Sequence, residues 1–296
     1  MATSAIIPSE SLEIDRIVIG DIRPNKAGGK TVPVRYNGQN LVVRTPRIFY
    51  PAGVVTRVDE QNKSNYNLLA SLKGCDPYAK EISTDGSDIG NFYNFLLKLQ
   101  DKILAAAVAN SAKWFGKVRS EAVLRDTMKL MLTPSVDKVG GEWVPNGKYP
   151  PSLRMKISVW DGAVSMNVVD KDNNEIVVTP ENLDQVFPKR MEGRMVVAPS
   201  IYVTGLGFGI TWRVTMAKVF PPESRSASDV FKDIVEKESA PPPPLAESES
   251  TDLPTVDALP TESDRPETPP NRGITGGGTA PPAPGPKKRK SQVAPA

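Results

Sequence analysis

The chain has 296 residues, with 37 Lys and Arg against 34 Asp and Glu, a single cysteine and no histidine. One thiol cannot form a disulfide within the chain, and the missing imidazole removes His-based catalytic triads and His-containing zinc sites. There is no Walker loop or Rossmann glycine fingerprint, and no apolar run approaches the ~20 residues a membrane-spanning helix needs, so we expect an intracellular protein that is not an enzyme, uses no cofactor or metal and meets no membrane.

Residues 1–13 read as a flexible leader. A first strand is expected at Ile17–Ile19, closed by the turn-rich loop Pro24–Lys30. Thr31–Tyr36 and Leu41–Thr45 flank Asn37-Gly38, a hairpin signal, and Ile48–Tyr50 runs into Pro51–Gly53. A strand near Tyr66–Leu72 and a loop at Gly74–Tyr78 precede the one helix with a long apolar stripe, residues 87–110. Asp88 is its candidate N-cap, and Phe92, Phe95, Leu96, Leu99, Ile103, Ala106 and Ala107 recur at three- and four-residue steps, with Trp114 and Phe115 continuing the buried face.

Val123–Leu132 stays open between helix and strand; the alternation of Met128, Leu130 and Leu132 leans towards strand. Gly140–Gly147 is a turn-rich loop. Period-two alternation then returns in Leu153–Trp160, Val164–Val168, Met195–Tyr202 and Ile210–Phe220. In the last of these Trp212, Val214, Met216 and Lys218 share one face, and Thr211, Arg213, Thr215, Ala217 and Val219 the other. Gly205–Gly209 reads as a hairpin turn, Asp170–Asn174 as a tight turn, and Thr179–Phe187 as a short helix with Thr179 at its N-cap.

The body before Ser239 carries 31 basic and 27 acidic side chains, a weak excess, so any cationic face has to come from where the charges lie. Residues 223–238 form a short amphipathic segment. From Ser239 onward the chain holds 14 of its 29 prolines and almost no large apolar residue, the composition of a disordered tail. The tail closes on Lys287, Lys288, Arg289 and Lys290, which read as a nuclear-import signal or a DNA-contacting arm.

Short strands with Arg or Lys beside aromatics suggest a small curved antiparallel sheet or barrel, and such a wall can hold an unpaired nucleic-acid strand. Cations along a groove meet phosphates, and flat side chains stack on bases for about 1–3 kcal/mol each, whatever the sequence. Candidate cations are Arg154, Lys156, Lys189, Arg190, Arg194, Arg213 and Lys218, with Arg44 and Arg47 in the first half. Candidate platforms are Trp160, Tyr202, Phe208 and Trp212, with Phe49 and Tyr50. The alternative for each is a core aromatic or a solvated charge.

Tyr149–Ile157, Val203–Val214, and Val43–Pro46 with Pro51–Gly53 resemble the single-stranded-DNA-binding protein family of large eukaryotic DNA viruses, which is itself similar to the replicative single-strand binders of podovirus-type phages. The resemblance covers roughly residues 14–220, within a binding domain expected at 14–222. It implies a mainly β (α+β) fold, an OB-fold-like barrel with helix 87–110 packed on it. It also implies sequence-independent binding of exposed DNA during replication and recombination, with Arg154, Lys156, Trp212 and Arg213 on the matching positions. Replication or recombination proteins and a second copy of the chain are the candidate protein partners, at a viral replication site, in the host nucleus or packaged in the virion. The phage-type relatives end in an acidic tail with a terminal aromatic, whereas this tail ends on basic residues. Two other classes compete: a virion structural or scaffold protein whose β-rich body is an interaction module, and an enzyme using the carboxylates Asp161, Asp170, Asp172 and Glu175 that flank one turn.

Overall fold

Five strands, Ile48–Tyr50 (β1), Ser64–Ser71 (β2), Ser152–Ile157 (β3), Met191–Val203 (β4) and Phe208–Phe220 (β5), each pair with two of the others. β1 pairs with β2, β2 with β3, β5 with β4 and β4 with β1, all antiparallel; β3 and β5 run parallel and complete the ring. The protein is therefore mostly β, with a closed OB-fold-like five-stranded barrel and a few helices. This computed structural model describes residues 5–25, 29–60 and 62–222, all within one compact unit, Met1–Lys232. The expected amphipathic segment, the Pro-rich tail and the basic cluster Lys287–Lys290 lie outside the described residues, as do residues 26–28 of the first turn loop.

β4 shows how the sequence encodes its place. Along its 13 residues every odd-numbered residue, from Met191 to Val203, is buried and every even-numbered one is at least partly open. A strand alternates in this way only where one face meets a core and the other meets water. One edge of β4 holds β5 throughout. The other edge changes partner along its length, from β1 to Val42–Arg44 and then to Lys30–Tyr36. The predicted Asn37-Gly38 hairpin forms beside it, with both turn residues at positive φ (49° and 81°).

In β5 the alternation breaks, and with it the expectation that Met216 and Lys218 share a face with Trp212. The register steps from Val197↔Val214 to Val196↔Met216, which leaves Thr215 as an extra residue. A bulge of this kind reverses the side-chain phase beyond it. Trp212 and Val214 point inward before the bulge and Ala217 and Val219 are buried after it, so Met216 is turned out to 43% exposure. Thr215 Oγ1 donates to the Val196 carbonyl at 3.1 Å and supplies that oxygen with a partner where the ladder is interrupted.

The long helix runs Asp88–Ala109 (α1), and its N-cap is Ser87, one residue before the expected Asp88. Ser87 Oγ accepts from the Gly90 amide at 2.9 Å, while Asp88 sits in the first turn, where a carboxylate favours the helix dipole. Its buried residues include Phe92, Phe95, Leu96, Leu99 and Ile103, and they join the same apolar core as the barrel strands. Ser111–Phe115 (α2) follows and stops at Gly116, at φ 74°. Glu121–Thr127 (α3) then resolves the open segment: its first half is helical, capped by Ser120, and Leu132–Thr133 pairs with β3.

Three further expectations change. Ile6–Pro8 in the supposed leader forms a parallel strand with Val42–Arg44. Val136–Val139 and Glu142–Pro145 make a separate two-stranded hairpin, whose second strand lies in the expected loop Gly140–Gly147. The late short helix begins at Leu183, because Asn182 Oδ1 accepts from the Thr179 amide and holds the preceding residues in a turn. Among the described residues, no helix is long and apolar enough to cross a membrane.

Candidate nucleic-acid interface

Two clefts of about 810 and 920 Å³ lie on the outside of the barrel and share Lys156, Tyr202 and Thr211. Together they form one groove across β2, β3, β5 and β4. The registers explain its composition. Lys156 on β3 stands opposite Asn67 on β2 and Arg213 on β5, and Arg213 stands opposite Ala198 on β4. The inward neighbours Leu153, Met155, Ile157, Trp212 and Val214 are buried, so the same alternation that fills the core turns Arg154, Lys156 and Arg213 outward.

Tyr202 lies at the junction of the two clefts. Its cross-strand partner is Gly209, where an added Cβ would come within 2.6 Å of the Tyr202 hydroxyl. The missing side chain at 209 lets the phenol ring lie down against the wall. Partial burial pushes the Tyr202 pKa up, and the positive charge of Arg154 works against that shift. Trp160 stands at the far end of the first cleft. It is presented by a two-residue turn, Asp161-Gly162, with both residues at positive φ, and is 64% exposed.

Three cations that the sequence did not single out also line the groove. Arg57 and Lys63 come from the hairpin Val54–Val58 with β2, and Lys129 from the connection after α3. Gly207 permits that last approach, since a Cβ there would sit 2.2 Å from the Thr127 carbonyl oxygen. Among the described residues, six cations thus line the two clefts, against the two carboxylates Asp59 and Asp126.

Of the remaining expected site residues that are described, Trp212 borders the second cleft from within the core, and the others lie away from the groove. Trp212, Phe208 and Tyr50 are core residues at 1%, 1% and 0% exposure, which corrects their reading as base-stacking platforms. Phe208 packs in an aromatic cluster with Trp114 and Phe115, its ring centroid 6.0 and 5.7 Å from theirs. Tyr50 points its hydroxyl at the Met155 sulfur inside the barrel. Arg47 pairs with Glu192 and lies over the Phe220 ring at 4.0 Å. Lys189 and Arg190 sit on the connection into β4, where the Arg190 amide donates to the Tyr50 and Pro51 carbonyls, and neither lines the groove. Arg44, Arg194 and Lys218 border a separate, smaller depression of about 480 Å³. There Glu10 pairs with Arg44, and Lys218 Nζ donates to Asn173 Oδ1 at 2.6 Å.

Of the four carboxylates of the enzymatic alternative, Asp170 has a structural part in the turn. It accepts from the Asn174 side-chain amide and from the backbone amides of Asn174 and Asp172, and these bonds hold its pKa below the usual carboxylate range. No group of three or more His, Cys, Asp or Glu placed to hold a metal ion occurs among the described residues.

No protein-family model matches the chain, and no curated protein matches it. Solved structures to which the chain is similar include the single-stranded-DNA-binding protein of bacteriophage Enc34 in complex with single-stranded DNA, at 10% identity and a TM-score of 0.36, covering 71% of this chain and 98% of that one. The single-stranded-DNA-binding protein encoded by bacteriophage T7 is similar at 11% identity and a TM-score of 0.36, covering 64% and 96%. A C-terminal truncation of the Enc34 protein gives 10% identity and a TM-score of 0.33, covering 72% and 100%.

Proposed function

We propose that this protein binds single-stranded DNA without sequence preference, through the groove on the outer wall of the barrel, and catalyses no reaction. One observation carries the reading: the pleat of β3 and β5 sets Arg154, Lys156 and Arg213 side by side in a groove that also holds the Tyr202 ring and ends on the exposed Trp160. Cations in that position neutralise phosphates and release counterions, and the two rings supply faces for unstacked bases. A duplex keeps its bases stacked inside and offers no face to Tyr202 or Trp160, so the groove selects unpaired strands. Binding of this kind serves replication, recombination or repair, in line with the resemblance to the binding proteins of large DNA viruses. The Lys287–Lys290 cluster would then direct the chain to a host nucleus or add a basic arm.

The test is a fluorescence titration of the full chain with unstructured single-stranded DNA, the matching duplex and the matching RNA at several salt concentrations. Single-stranded DNA should bind tightest, with an affinity that falls steeply as salt rises. No binding to single-stranded DNA at low salt, or equal binding to the duplex, would overturn the proposal.

A further inference from the structure

We infer that the hairpin Val136–Val139 with Glu142–Pro145 is a second nucleic-acid contact, extending the path of the strand beyond the barrel groove. The inference rests on the groove reading above. Thr133 and Pro134 line the second cleft, and the hairpin leaves the wall two residues later. A strand running from Trp160 through both clefts therefore reaches the foot of this arm.

The arm is built to hold its position. The Asn146 amide donates to the Ser135 carbonyl at 3.0 Å, and the Tyr149 and Lys148 amides donate to Ser135 Oγ and Asn146 Oδ1. Yet the arm pairs with none of the five barrel strands, and its own two strands carry apolar side chains into water. Trp143 is 67% exposed, and Tyr149, at the foot, is 69% exposed. A large aromatic on a solvent-facing hairpin contributes little to stability and needs another reason to be there.

Its two faces differ in charge. Lys138 stands directly opposite Trp143 and Val136 opposite Pro145, so these four share one face, and Asp137, Val139, Glu142 and Val144 share the other. Both carboxylates thus lie on the face away from Trp143, and Lys148 pairs with Asp137 there. The Trp143 face offers one flat ring and one cation, the pairing that an unstacked base and its phosphate need. Continuity with the groove and this sign of charge favour a nucleic-acid strand over a second copy of the chain.

The four tryptophans make a direct test possible. Trp114 and Trp212 are buried, so quenching on binding reports Trp160 and Trp143. In full-length Trp160→Phe protein, oligonucleotides of increasing length should leave the emission unchanged until they outgrow the groove, then quench it. Trp143→Ala should weaken long oligonucleotides about tenfold, within the range for one stacked base, and leave the shortest bound as in the parent. Lys138→Glu should act in the same direction. Unchanged affinity for long oligonucleotides in both variants would overturn the inference, as would equal loss at every length or a drop in sedimentation mass in Trp143→Ala. The groove reading fails separately, if the parent protein binds no oligonucleotide of any length.

Discussion

Lys156 and Arg213 are register partners on adjacent strands, both turned out of the barrel. Adjacent strands lie about 4.8 Å apart, and like charges set opposite one another across a sheet are destabilising. A fold selected only for stability would not place them so; a groove for phosphates would. Replacing both with Gln separates binding from folding. Each phosphate contact on a single strand contributes about 0.7 to the slope of log K against log salt, so losing two flattens the slope by about 1.4. At ~0.1 M salt the same arithmetic gives about 5-fold per contact, or about 25-fold for the pair. The assay is fluorescence anisotropy with labelled single-stranded DNA at four or more salt concentrations, alongside thermal unfolding of the same protein. The expected result is weaker, less salt-dependent binding with an unchanged or slightly raised Tm. An unchanged slope would refute the argument, because it would mean that these two cations do not meet phosphates.

Three other outcomes follow from side chains whose surroundings differ. Trp212→Ala should destabilise the protein by about 3–5 kcal/mol, read by chemical denaturation, as expected for a deleted core aromatic. Trp212→Phe should cost far less, because the indole N–H has no hydrogen-bond partner among the described residues to lose, and should leave DNA affinity unaltered. Gly209→Val should displace the Tyr202 ring and weaken binding to about the level of Tyr202→Ala, whereas Tyr202→Phe should bind like the parent; equal binding by Gly209→Val and the parent would show that the ring takes no part. Cys75 is buried, and burial, reinforced by the Asp85 charge, pushes its thiol up to about 11. Its thiolate is therefore scarce at pH 8, and alkylation should be slow in the folded protein, rising sharply in denaturant as the thiol returns to its ordinary range near 8.5. Rapid labelling of the native chain would contradict the burial.

The alternation that made the strands legible also held a distinction that reading residues one by one passes over. Consecutive residues on a strand point to opposite faces, so Trp212 and Arg213 could never serve the same surface. Once Arg213 is granted to water, Trp212 belongs to the core, where it lies. The same logic exposes Tyr202, between the buried Ile201 and Val203. It fails at Met216, because a bulge leaves no mark in a sequence with Thr215 as an ordinary strand residue. Arg57, Lys63 and Lys129 were invisible for another reason. Nothing near them in sequence says that their hairpin and connection will border this face of the barrel; that depends on β2 pairing with β3, some 85 residues later in the chain. A binding surface assembled from such distant pairs is decided by closure of the ring. Lys156 and Arg213 are placed differently, by parity within β3 and β5, so naming those strands was enough to include them among the candidates, while three of the four other cations of the groove escaped.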